Sequence, residues 1–169
     1  MNLFVRLLLL LASFRRKRRL GVLDTSVIGL RVFPNDLDVY GHMNNGRYLT
    51  LMDLGRFDLI ARSGMGRIAA ERRWNPLVAS VSIRYKKSLK LFQSFELQTR
   101  IAAWDAQWFI LEQKFVFRDR VVAHAWVRGL FYGPDGKVHT AAVLSELGVT
   151  QPSPPVPEPL RTWPSSDNF

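Results

Sequence analysis

Between residues 36 and 48 the chain reads Asp36-Leu37-Asp38-Val39-Tyr40-Gly41-His42-Met43-Asn44-Asn45-Gly46-Arg47-Tyr48. This stretch gathers two carboxylates, a histidine and two asparagines. A carboxylate can attack a carbonyl carbon or take a proton from a water that does so. An apolar pattern of helical spacing follows at once. A helix start presents backbone N–H groups without intrahelical acceptors and a partial positive charge. Such a terminus can hold a carbonyl oxygen that becomes negative during attack, with a carboxylate several residues upstream lying close by. Together these parts suffice for acyl transfer to water. Taken singly, each residue also has an ordinary reading, since Asp and Asn often cap helices and Gly41 can simply turn the chain. Their joint occurrence is the signal.

The flanking elements can be read from periodicity. Residues Thr25 to Phe33 alternate, with Ile28, Leu30 and Val32 on one face, which predicts a strand ended by Pro34-Asn35-Asp36. From Asn45 to about Ser63 the apolar residues Tyr48, Leu51, Met52 and Leu59 recur at helical spacing, with Gly55 on the same face. A glycine inside a helix costs about 1 kcal/mol relative to alanine, so Gly55 predicts close approach to a sheet. Four strand-like runs follow: Leu77 to Lys87, Phe95 to Trp104, Trp108 to Arg118 and Val121 to Tyr132. Asp105-Ala106-Gln107 and Asp119-Arg120 are hairpin-length breaks, so the strands they join should be antiparallel neighbours. Thr140 to Leu147 reads as a short helix. The expected fold class is α+β, a five-stranded antiparallel sheet with one long helix on its face. One helix cannot cover such a sheet, and an edge strand stays unpaired, so at least a homodimer, or a tetramer, is expected.

The segment from Asp38 to Tyr48 resembles the signature of the 4-hydroxybenzoyl-CoA thioesterase-like branch of the hotdog superfamily. That signature has an Asp, a Gly three residues on, often a His, then Asn-Asn, a small residue and a Tyr opening the central helix. The resemblance spans roughly Thr25 to Tyr132, and the element order matches a sheet wrapped around one long helix. It implies an acyl-CoA or acyl-carrier-protein thioesterase with Asp38 as the catalytic carboxylate, as nucleophile or as base. The N–H near Asn45 would hold the oxyanion. His42 and Asn44 would orient water or shape the pocket, and Tyr40, Gly41, Tyr48 and Met52 would border the substrate. Phe57 and Trp74 are further pocket candidates. No cofactor is implied, because coenzyme A is part of the substrate. No metal is implied either, since His42, His124 and His139 are scattered. The second reading is a membrane-associated protein of the same fold that binds acyl or lipid ligands without turnover.

Charge bears on the partner. The net charge is +10, with the densest run at Arg15-Arg16-Lys17-Arg18-Arg19. Anionic partners suit such a chain. Coenzyme A phosphates would be met by Arg84, Lys86, Lys87, Ser88 and Lys90, which close one strand and lie in the region that approaches the phosphates in the family. A nucleic-acid partner is not expected, because no helix-turn-helix or single-strand-binding pattern is present. Cysteine is absent, which excludes disulfides and a cysteine nucleophile. Residues 1–23 form an apolar and then basic segment, too short to span a membrane comfortably. Its expected role is an interfacial helix over residues 1–19 on anionic lipid, with packing on its own domain as the alternative. The thioesterase domain is expected over 24–150, with a proline-rich tail, extended or mobile, over 151–169. The expected setting is cytoplasmic, at the inner face of a membrane where the helix engages lipid.

Overall fold

The computed structural model describes residues 2–14 and 17–160. Arg15 and Arg16 of the basic run, and the tail beyond residue 160, lie outside the described residues. The elements are α1 (Leu3–Ser13), β1 (Ser26–Arg31), α2 (Asn45–Arg62), α3 (Met65–Arg72), β2 (Asn75–Tyr85), β3 (Ser94–Trp104), β4 (Phe109–Phe117), β5 (Arg120–Gly133), β6 (Gly136–Val138) and α4 (Thr140–Glu146). All strand pairs are antiparallel, in the order β1-β3-β4-β5-β2, with β6 paired to β5. The two short breaks make the β3-β4 and β4-β5 hairpins, as expected. The strand β2 crosses to the far side of β5 instead of pairing with β3. The sheet has a sixth strand, β6, whose three residues are too few to show a period, and α3 follows directly where only the end of α2 was expected.

The inner face of the sheet is built from alternate residues, and α2 lies across it. Leu51, Met52 and Leu59 of α2 are fully buried with Leu97, Phe115 and Val127 of the sheet. Gly55 sits where the helix comes nearest. A Cβ built there would stand 2.4 Å from the Thr99 hydroxyl and 3.0 Å from the Gln113 amide nitrogen. Both polar side chains are buried and satisfied. Gln113 Nε2 donates to Thr99 Oγ1 at 2.9 Å and to the Met52 carbonyl at 3.0 Å. The space a side chain would need is therefore taken by a closed hydrogen-bond network.

Both ends of the chain join this body. Leu10, Leu20 and Val22 belong to the same buried core as β1 and α2, so the core continues across the boundary expected at residue 23. The N-terminal segment is anchored at two buried carboxylates. One is Asp36, gripped by Arg6. The other is Asp58, which receives Lys17 at 2.7 Å, Arg62 at 2.8 Å and the Ser26 hydroxyl at 2.6 Å. The opposite face of α1 stays apolar and exposed at Phe4, Val5, Leu8, Leu9 and Leu11. Among the described residues, no helix is long and apolar enough to cross a membrane. The proline-rich tail is laid along the outer sheet face up to residue 160. Ser153 accepts from the Trp104 N–H at 2.8 Å, and Leu160 is buried against Ala103 and Ile110.

Gly55→Ala should lower stability by about 1–2 kcal/mol in urea denaturation. The helix-propensity gain of about 1 kcal/mol is outweighed by overpacking that must break the Thr99–Gln113 bond.

Candidate active site

The loop between β1 and α2 is fixed from within. Asp38 Oδ1 accepts from the Tyr40 N–H at 2.9 Å and the His42 N–H at 3.1 Å. The Asp38 N–H donates to the His42 carbonyl at 2.8 Å, and the Gly41 N–H to the Asp38 carbonyl at 3.1 Å. Closing so tight a turn requires φ +73° at Gly41, a region that side chains other than glycine's disfavour. The loop is also stitched outward. Met43 donates to the Leu89 carbonyl at 2.8 Å, and His42 and Lys90 form a β-bridge. Asp38 is half-buried, with Oδ1 committed to the turn and Oδ2 bound by no protein group among the described residues. A carboxylate held this way keeps one oxygen for chemistry.

Asn44 caps α2, its side chain accepting from the Gly46 N–H at 2.8 Å. The Arg47 N–H turns back to the Asn44 carbonyl at 2.9 Å. The Asn45 N–H, first in the helix, finds no acceptor among the described residues and is free to donate to a ligand. Asp38 and Asn45 thus belong to one rigid loop-and-cap unit.

The base of that unit is Asp36, fully buried. Its Oδ1 receives Arg47 Nε and Nη2 at 3.1 and 3.0 Å. Its Oδ2 receives the Phe33 N–H at 2.9 Å and a guanidinium nitrogen of Arg6 from α1. Its carbonyl receives the Asn44 N–H at 2.8 Å. Asp36 therefore ties β1, the helix cap and α1 together, two residues before Asp38. The sequence pattern placed Asp36 only in the break that ends β1 and assigned nothing to Arg6 or Arg47. The signal was the arginine interrupting an apolar helical run, because a charge on a buried face requires a partner.

The other expected site residues fall into three groups. Tyr40 and Gly41 stand exposed at the loop tip. Tyr48 and Met52 are buried core side chains. The Tyr48 hydroxyl accepts from the Leu89 N–H at 3.3 Å, and its ring meets Tyr85 and Phe115 edge-on. Burial pushes the Tyr48 phenol up, so it stays neutral and acts as a strut beneath the loop. Of the basic set, Lys90 adjoins His42 through the β-bridge. Lys87 shares a surface depression of about 360 Å³ with Arg118 and Arg120, two cations that the sequence pattern did not single out. Arg84, Lys86 and Ser88 are exposed along the strand end and the turn after it. His124 is engaged by Glu112 at 2.9 Å, and His139 by the Ala106 carbonyl at 3.2 Å.

A separate apolar cleft of about 200 Å³ lies between α2 and the start of the edge strand. Phe57, Leu77, Ile101 and Phe109 line it, with Asp53 and Arg56 also in its wall. Phe57 was an expected pocket residue; Trp74 instead packs against Gly133.

Asp36→Asn should destabilise the fold by about 3 kcal/mol or more, because two guanidinia would then surround a neutral amide. Arg6→Met should cost less, about 2 kcal/mol, since Arg47 and the Phe33 N–H still satisfy the carboxylate. Urea denaturation of the two variants checks the order.

Comparison with known proteins bears on this arrangement. The family model of the thioesterase-like superfamily matches residues 32–163. Protein THEM6 of Drosophila melanogaster is 30% identical over 89% of this chain and 76% of its own length. Protein THEM6 of Xenopus laevis is 42% identical, over 50% of this chain and 41% of its own. The chain thus spans less than half of the frog relative. A probable thioesterase from Escherichia coli superposes with TM-score 0.67 at 22% identity, covering 72% of this chain and 94% of that one. A gentisyl-coenzyme A thioesterase superposes with TM-score 0.64 at 18% identity, covering 71% and 99%. Those two likenesses show a shared fold. With the family model spanning the loop, the central helix and most of the sheet, the chain belongs to the thioesterase-like superfamily and has the hotdog fold.

Proposed function

We propose that this protein hydrolyses the thioester of an acyl-coenzyme A or acyl-carrier-protein substrate, with Asp38 as the carboxylate that acts at the carbonyl. The observation that carries this reading is the rigid unit joining Asp38, anchored through one oxygen, to the helix start at Asn45. The substrate carbonyl oxygen would accept from the Asn45 N–H. Asp38 would either take the proton of an attacking water or attack the carbon itself. Both routes give a tetrahedral oxyanion whose collapse breaks the C–S bond and releases the thiolate. In the water route the Asp38 proton passes to that thiolate. In the covalent route water then opens the acyl-aspartyl anhydride. Lys87 and Arg120 would meet the substrate's phosphates. The relatives' names, among them a probable thioesterase of Saccharomyces cerevisiae 23% identical over 63% of this chain, support the reaction class.

The same reading includes a homodimer through β2. Among the described residues that strand pairs only with β5, and Leu77, Val78, Val81 and Tyr85 along it are exposed. A free, apolar edge of eleven residues invites a second copy. The Tyr85 hydroxyl donates to the Asn45 carbonyl at 3.1 Å, so a partner on β2 lies beside the helix start. Antiparallel pairing of two copies brings the Tyr85 end of one toward the Leu77 end of the other. The apolar cleft at Phe57 and Leu77 of the partner would then face Asp38 and receive the acyl group. Its modest volume suits a medium or aryl group better than a long chain. The exposed apolar face of α1, followed by the basic run, supports peripheral contact with an anionic membrane.

A thiol-release assay on the whole chain, across short, medium, long and aryl acyl-CoAs, tests the proposal. Asp38→Asn should cut kcat by at least about a hundredfold and still fold. Absence of turnover from a folded dimer would favour ligand binding without hydrolysis. Val78→Glu with Val81→Glu should give a folded monomer by light scattering, and its turnover should fall with the dimer.

A further inference from the structure

An open groove of about 830 Å³ lies at the other edge of the sheet from β2, between α1, β1 and the β4-β5 turn. It is larger than the acyl cleft and falls within the ~300–1,000 Å³ typical of ligand sites. Asp38 and Asn45 are not among its lining residues. Much of its wall is aliphatic or aromatic, with Leu9, Leu10, Ile28, Leu30, Leu54 and Phe95 the chief contributors.

The charge around this apolar wall is unbalanced. Arg6, Lys17, Arg31 and Arg118 contribute to it, against Glu96 and Asp119. Lys17 is already committed to Asp58, and Glu96 accepts from Gln98 at 3.2 Å. Arg31 donates to the Ser94 hydroxyl at 3.1 Å, and Arg118 lies over the Phe117 ring at 5.2 Å. Neither has a carboxylate partner within 4 Å among the described residues. Arg6 is the sharper sign. Its guanidinium is buried and shares Asp36 with Arg47, and its Nε and Nη1 have no hydrogen-bond partner. Buried guanidinium nitrogens left unpaired are costly and are ordinarily met by an anion or a water. Glu96 and Asp119 likewise have no ion-pair partner among the described residues, so the surplus is the buried one, where Arg6 and Arg47 share Asp36. An apolar trough with that surplus behind it and Arg31 and Arg118 at its edge fits a molecule with an aliphatic chain and one anionic end.

We infer that this groove is a binding site for a free fatty carboxylate, distinct from the thioester site. The chain lies along Leu9, Ile28, Leu30 and Phe95. The carboxylate lies between Arg31 and Arg118, in the field of Arg6. This assignment does not depend on hydrolysis at Asp38.

The test is displacement of a fluorescent polyene fatty acid from the whole chain, in vesicle-free buffer below micellar concentrations. Dodecanoate should displace the probe, and dodecanol should be at least tenfold weaker. Arg31→Ala with Arg118→Ala should weaken dodecanoate at least tenfold. So should Leu9→Glu, whose site on α1 is exposed enough to accept the charge without unfolding the chain. Asp38→Asn should bind normally, which keeps this result separate from any result on turnover. The inference is overturned if the probe does not bind, if dodecanol matches dodecanoate, if the groove variants bind like the parent, or if Asp38→Asn loses binding.

Discussion

A carboxylate removed from water must be surrounded by donors, and at Asp36 that requirement organises the neighbourhood of the site. Moving such a group into the interior costs several kcal/mol unless its lone pairs are filled. Here two arginines, from elements far apart in sequence, and the N–H of Phe33 fill them. Few placements of the chain satisfy all of these donors together. The loop that leaves β1 is therefore committed before it reaches Asp38, and the helix cap is committed with it through the Asn44 N–H. The helix α1 becomes part of the domain for the same reason. Its Arg6 answers a charge that the rest of the fold has buried, and its Leu10 enters the common core.

The second constraint is distance. A long helix can steady the loop that precedes it only if its axis is fixed against the sheet. Gly55 brings α2 close enough for the helix carbonyl of Met52 to be used by Gln113, a sheet residue. The Arg56 side chain reaches the same amide from outside, donating to Gln113 Oε1 at 2.7 Å while pairing with Asp53. Burial lowers the Arg56 pKa and the neighbouring Asp53 opposes that shift, so the cation is kept at the edge of the apolar cleft. The network that sets helix height thus also contributes a polar side chain to the cleft wall.

What could be read from the sequence follows the range of the interaction concerned. Periodicity is local, so β1, α2, the β3-β4-β5 meander and α4 stand close to where their patterns put them. Gly55 was legible because a glycine on the buried face of a helix has few other uses. The Asp38–Asn45 segment could be singled out as a candidate site because its parts are adjacent in the chain. The Arg6–Asp36 pair spans thirty residues and has no period, so a single charge in an apolar run was its only trace. The crossing of β2 to β5 was hidden for a related reason. The turn after β2 has no distinctive length, and strand order depends on which edges remain free. The tail to residue 160 read as extended or mobile, and its packing on the sheet gave no pattern, because proline forbids ladder hydrogen bonds. A chain can nonetheless lie along a sheet face through side chains such as Val156 and Leu160.

The two edges of the sheet treat exposure differently, and the proposed site falls beside the open one. At β1 the edge is partly closed from within the chain, by α1 and the bond from Arg6 to the Arg31 carbonyl at 3.2 Å. The loop that β1 feeds is correspondingly rigid. At β2 the edge is left open, with apolar side chains and unpaired backbone along its length. Tyr85 links that open edge to the helix start. A site built here has a fixed half and an unfinished half. On the proposed reading the fixed half holds the carboxylate and the oxyanion donor, groups whose placement tolerates little error. The unfinished half is apolar surface, which can be completed by a second copy without precise polar alignment. On that reading rigidity is placed where bonds would change, and the proposed interface is left to shape and burial.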